Sequence, residues 1–142
     1  MAVALVASVA PDLDLLYFYA VDGSVHHHSF PTHWPSAWGV GTGAGLLAAA
    51  VLRSRFLALA VGTAGGAALL HLALDTIAGA VRWGAPFSDH AFTLVDVPAE
   101  HGWWVASMVL HWTFGVELVL VAAAVAVAWT RKRAQPEVAE VP

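Results

Sequence analysis

The ionisable residues of this chain gather in short clusters, and long apolar stretches with almost no charge run between them. Four stretches stand out: Ala2 to Ala20, Ser36 to Leu52, Phe56 to Ala80 and Trp103 to Trp129. A helix rises 1.5 Å per residue, so about 20 apolar residues cross the ~30 Å hydrocarbon layer of a bilayer. The third and fourth stretches meet that length. The first is interrupted by Pro11, Asp12 and Asp14 and reads as a partial crossing. Composition agrees, since 59% of the 142 residues are apolar and only 11% are charged, roughly half the charged share of a soluble domain. The expectation is an all-α, polytopic membrane helical bundle of about four membrane segments. Residues 1–133 form one membrane-embedded domain in this reading, and 134–142 a disordered tail.

The opening MAVALVASVA resembles a signal-peptide core, but it lacks a basic leading region and runs straight into Pro11-Asp12-Leu13-Asp14. It reads as a retained membrane segment. With no cysteine, disulfides and thiolate metal sites are excluded, so any metal must be held by imidazole and carboxylate. A net charge of −4 and no basic stripe exclude nucleic acid as a partner. Membrane lipid is the partner expected instead.

Orientation follows from Lys and Arg. If all four stretches cross, Arg53 and Arg55 share a side with Arg131, Lys132 and Arg133, and only Arg82 lies opposite. Basic ends stay in the cytoplasm. The chain is therefore expected in the plasma (inner) membrane, with the His-rich loop 23–35 and the loop 81–102 on the extracytoplasmic side. Trp34, Trp38, Trp83, Trp103 and Trp104 cluster at that interface, where amphipathic rings sit well. Gly39 and Gly43, Gly41 and Gly45, and Gly62 and Gly66 repeat a four-residue spacing that predicts close packing of the second and third segments.

The candidate chemistry falls at the same outer face. Asp12 and Asp14 end the first segment, His26, His27, His28 and His33 occupy the next loop, and His71 and Asp75 form an H-x-x-x-D pair on the third. Residues four apart share a helix face, so imidazole and carboxylate can point at one ion. If that helix runs to Ala80, Asp75 lies about 7 Å and His71 about 13 Å from its outer end. A carboxylate there is costly unless paired or cation-bound. Taken singly, the groups have plainer readings: an Asp75–His71 ion pair, helix-capping aspartates and a solvated His loop. Their convergence favours a divalent metal, zinc foremost, with Asp12, Asp14, His28, His33, His71 and Asp75 as candidate ligands. His111 lies about 12 Å along the fourth segment, level with His71; it is expected to face His71 as a further ligand or orienting partner, the competing reading being an interfacial His beside Trp112. Glu117, about 21 Å along, falls near mid-bilayer.

In order, Pro11-Asp12-Leu13-Asp14, His28-x-x-x-Thr32-His33, His71-x-x-x-Asp75-Thr76 and Pro86-Phe87-Ser88 resemble the YdjM-like family of membrane-bound metal-dependent hydrolases. These are also described as LexA-binding, inner-membrane-associated hydrolases. The likeness covers roughly residues 8–98. Ser29-Phe30 stands where the family has Arg-Gly, Trp34 where Ser is usual, and Ala78 or Gly79 where a later Thr falls. His90 stands where a basic residue often follows. The family's upstream His-bearing helix has no counterpart here, which leaves two readings: an incomplete site, or one supplemented by His26 or His27. The resemblance implies a hydrolase.

Two functions follow. One is a metal-dependent hydrolase in which an ion activates water, Asp14 or His90 takes the proton, and Arg82 neutralises an anionic substrate such as a lipid phosphoester. The other is a non-enzymatic membrane subunit using the same residues for metal binding, ion relay or assembly.

Overall fold

The computed structural model describes residues 1–21 and 27–134. His26 and the tail from 135 lie outside the described residues. Among the described residues six helices run in order: α1 (Ala2–Val9), α2 (Leu13–Ala20), α3 (Pro35–Val51), α4 (Arg55–Asp75), α5 (Trp104–Val109) and α6 (Trp112–Ala134), with short 3-10 turns at His27–Ser29 and Pro31–His33. The described residues form no strand, only an isolated bridge between Val81 and Phe92. The chain divides into two compact units, one running from Met1 to Asp96 and the other beginning at Val97.

In the first unit α4 is central and packs on both α1 and α3, burying Ala68 and Leu72 completely. Pro11, itself fully buried, separates α1 from α2 because it has no N–H to donate and its ring crowds the preceding turn. Asp12 follows at the N-cap of α2 but makes no side-chain cap bond. The capping alternative is therefore set aside for Asp12.

Helices α3 and α4 form a hairpin with a three-residue connection. Pro35 opens α3 at a first-turn position, where its missing N–H costs nothing. The helix ends with Ser54 N–H bonded to Ala49 O and Arg53 N–H to Ala50 O, the paired bonds of a left-handed stop. Arg53 takes that left-handed conformation, φ 51°, at a position glycine usually fills. Ser54 then caps α4 through Oγ, which accepts from Leu57 N–H at 3.2 Å. Close approach of the helices rests on two glycines: a Cβ on Gly45 would meet Val61 at 2.8 Å, and one on Gly65 would overlap Thr42 Oγ1. The expected Gly62 and Gly66 have open space, as do Gly39, Gly41 and Gly43, so the small-residue contact is one residue out of register from the Gly62/Gly66 pair.

Helix α4 stops at Asp75, five residues before the expected Ala80. Thr76 Oγ1 donates back to Leu72 O at 2.7 Å and accepts from Trp83 Nε1 at 3.0 Å. The returning chain then takes the next backbone groups, Leu94 N–H bonding Thr76 O and Val95 N–H bonding Ile77 O. Asp75 is thus the last helical residue, and His71 lies one turn inside. The expected depths of about 7 and 13 Å give way to shallower ones.

The second unit also departs from expectation, because the Trp103–Trp129 stretch is two helices. The break falls at Leu110–His111, where His111 Nδ1 pairs with Thr113 Oγ1 at 3.0 Å and receives Thr113 N–H at 3.5 Å. Glu117 consequently sits in the second turn of α6.

Among the described residues three segments are long and apolar enough to cross a membrane: Ala2–Ala20, Arg55–Asp75 and Trp112–Arg133. Only 17% of the apolar window of α4 and 6% of that of α6 is buried inside the protein. Water does not tolerate helices so apolar and so uncovered, which is consistent with a membrane protein. At 17 residues, or about 26 Å, α3 falls just short of the same length.

Candidate metal centre

Three pieces of chain deliver the site: the break before α2, the 3-10 turn Pro31–His33, and the last turn of α4. The turn is held from both sides. Phe30 packs edge-on against Tyr17 of α2 at 5.3 Å, and Trp38 Nε1 of α3 donates to Thr32 O at 2.7 Å. His33 is thereby driven fully out of solvent.

Four residues, Asp12, His33, His71 and Asp75, each present a ligand atom within 4.8 Å of the other three. Every nitrogen-to-oxygen edge of the group is short. His71 Nε2 lies 3.1 Å from Asp75 Oδ2 and 3.4 Å from Asp12 Oδ1. His33 Nε2 lies 3.5 Å from Asp75 Oδ2 and 3.7 Å from Asp12 Oδ1. Tetrahedral bonds of about 2.0–2.1 Å would set donors about 3.3 Å apart, so these edges match the span of one ion. The buried Nε2 of His71 lies close to an oxygen of each carboxylate. Two imidazoles and two carboxylates suit a divalent cation.

Asp14 stands behind this group. Its Oδ2 accepts from His33 Nδ1–H at 2.5 Å and from Thr32 Oγ1–H at 2.7 Å. An ionised carboxylate can only accept, so the proton of a neutral His33 stays on Nδ1 and the lone pair of Nε2 faces the other three ligands. Carboxylate, imidazole and ion in line is how metal-binding histidines are commonly oriented. Burial works against a charged His33, but hydrogen bonds and charge from Asp75 and Asp14 outweigh it and hold its pKa above the ordinary imidazole value.

The remaining predicted residues sit elsewhere. His28 Nδ1–H donates to Ala80 O at 3.1 Å, and its ring lies 4.5 Å from that of His33, tilted by 33°. Gly79 makes room for it, since a Cβ there would meet His28 Cε1 at 2.7 Å. Arg82 lies 3.6 Å from Asp89. His90 is exposed, and its backbone N–H bonds Ser88 Oγ. Among the described residues, neither Arg82 nor His90 contacts the four-residue group. His111 belongs to the second unit, bonded to Thr113 as above. Sequence reasoning assigned no part to Thr32, although its position directly before His33 is the one signal available.

Fold and site together define an all-helical chain with three membrane-capable helices and a His/Asp group able to hold a metal ion. Comparison with protein-family models, curated proteins and solved structures returned no match.

Proposed function

We propose that the chain is an integral membrane metal-dependent hydrolase related to the YdjM-like family, acting at the extracytoplasmic face of the inner membrane on a lipid phosphoester. In this reading α3 crosses with the three longer segments, which keeps all the basic ends but Arg82 on the cytoplasmic side. The observation that carries the proposal is an asymmetry within the donor set. Asp12 is the most exposed of the four, 40% against 0% for His33, and its 3.7 Å edge to His33 is the longest. Two imidazoles and one carboxylate are a ligand set of catalytic zinc. His33, His71 and Asp75 would hold the ion, with the more exposed Asp12 beside them.

A bound divalent ion, zinc foremost, would supply a water activated near neutral pH, and Asp12 would hold a proton there. Asp14, buried and bonded to His33, orients the ring; proton transfer from solvent is not its part. The loop leaving Asp75 carries Arg82, the sole cation of the first unit away from the α3–α4 turn, and an anionic headgroup would compete with Asp89 for it.

One observation favours the non-enzymatic alternative: if Asp12 also binds, the ion has four protein ligands and the site is closed, as in structural zinc sites. Protein purified without a His tag separates the two readings. Asp12→Asn should retain the ion and lose metal-dependent release of phosphate from a dispersed lipid phosphomonoester. Loss of the ion in this variant would favour the closed site. His71→Ala and Asp75→Ala should each abolish stoichiometric metal, and undiminished metal in both would refute a shared ion altogether.

A further inference from the structure

The α3–α4 turn, at the opposite end of α4 from the metal centre, carries chemistry that the proposed hydrolase does not use. Arg55 and Asp75 are the first and last residues of α4, about 30 Å apart at 1.5 Å per residue, close to the thickness of a bilayer's hydrocarbon layer. Arg53 and Arg55 are both exposed. Between Trp34 and Leu74 the sequence contains no Asp or Glu, and among the described residues neither guanidinium has an ion-pair partner. Among the described residues, this corner sets two permanent cations together with no carboxylate paired to either.

The corner is also concave. A shallow, open groove of about 360 Å³ lies at the turn, with Arg53, Ser54, Arg55, Leu46, Ala50 and Ala58 in its lining. A lining that joins two arginines to apolar side chains matches a molecule with an anionic head and a hydrocarbon tail. Guanidinium binds phosphate oxygens through paired N–H donors.

We infer that the groove at the α3–α4 turn binds the phosphate headgroup of an anionic phospholipid, with Arg53 and Arg55 on the phosphate and an acyl chain along Leu46, Ala50 and Ala58. This site is independent of the metal centre and of the reaction proposed there.

Native mass spectrometry of the full chain released from vesicles of equal phosphatidylglycerol and phosphatidylcholine tests it. Wild type should retain phosphatidylglycerol in preference to phosphatidylcholine. A basic residue at an anionic surface is worth about fivefold in binding, so Arg53→Gln/Arg55→Gln should lower retention by about 25-fold. Unchanged helical circular dichroism in that variant shows that the hairpin still folds. Arg131→Gln/Lys132→Gln removes the same charge from α6 and should leave retention intact. Equal loss in this control would reduce the effect to bulk charge and overturn the site, as would equal retention of the two lipids or full retention after loss of Arg53 and Arg55. Displacement of phosphatidylglycerol by excess inorganic phosphate would overturn the lipid assignment, leaving a site for free phosphate.

Discussion

Asp14 can be changed without touching any of the four ligand atoms, which makes it the sharpest probe of the centre. Two of its hydrogen bonds converge on Oδ2, from His33 at 2.5 Å and from Thr32 at 2.7 Å. The amide oxygen of an asparagine can occupy the same place and keep both bonds, so Asp14→Asn removes charge and little geometry. A hydrogen bond to a charged group is worth about 1–1.5 kcal/mol more than a neutral one, which corresponds to about a tenfold loss of metal affinity. Asp14→Ala also releases the ring and leaves His33 Nδ1–H and Thr32 Oγ1 buried without their acceptor. Its loss should approach the upper end of the 10–100-fold range seen when an orienting carboxylate is deleted, about 2.8 kcal/mol.

The assay is a chelator-competition titration with zinc, on tag-free protein in neutral detergent, repeated across pH. The raised pKa of His33 means that the metal-free wild type keeps a proton there to a higher pH than a free imidazole would. An incoming ion must expel that proton, so wild-type affinity declines as pH falls through the raised value, by about tenfold per pH unit for one proton. Both variants lose one of the carboxylates that hold the pKa up, so their decline begins at lower pH. The ratio of wild-type to variant affinity should be largest in alkaline buffer and should narrow on acidification. Wild-type affinity for both variants at alkaline pH would refute the orienting role, and so would a deficit that widens as pH falls.

Two further outcomes test the scaffold. A Cβ on Gly65 would overlap Thr42 Oγ1, so Gly65→Ala should cost about 1–3 kcal/mol in an unfolding titration. Thr42→Ala should recover part of that loss, and Gly66→Ala, with nothing within 4 Å, should be close to neutral; equal costs at Gly65 and Gly66 would contradict the packing described. For topology, the cysteine-free background allows Ser88→Cys to be labelled by an impermeant thiol reagent in intact cells and Lys132→Cys only after lysis. The reverse pattern would invert the proposed orientation.

What the sequence could disclose was governed by where its signals are local. The H-x-x-x-D spacing needs only the helical repeat to place His71 and Asp75 together, and they do meet. The apolar run from Phe56 to Ala80 was a poor guide to where α4 ends. The stop depends on Thr76 bonding back to Leu72, on Trp83, and on the chain returning at Leu94, none of which alters hydropathy. The same blindness hid the break at His111, where a side chain folds onto Thr113. Glycine spacing announced a close helix pair but could not choose Gly65 over Gly66, because that choice is set by the rotation of α4 against Thr42. Nor could the P-D-L-D motif say which aspartate faces the other ligands and which stands behind His33.

That last division of labour traces to Pro11. In a continuous helix, residues two apart project about 200° from one another, so Asp12 and Asp14 would look to opposite sides. Here the backbone is interrupted immediately before them. Asp12, at the edge of α2, reaches the Nε2 side of His33, while Asp14, in the first turn, grips Nδ1. A single imidazole is held between two carboxylates drawn from three consecutive residues, as a rod is held between the jaws of a clamp. The interruption at Pro11 thus sets the angle between the jaws. A change that let α1 run unbroken into α2 would open them while leaving every candidate ligand in the sequence.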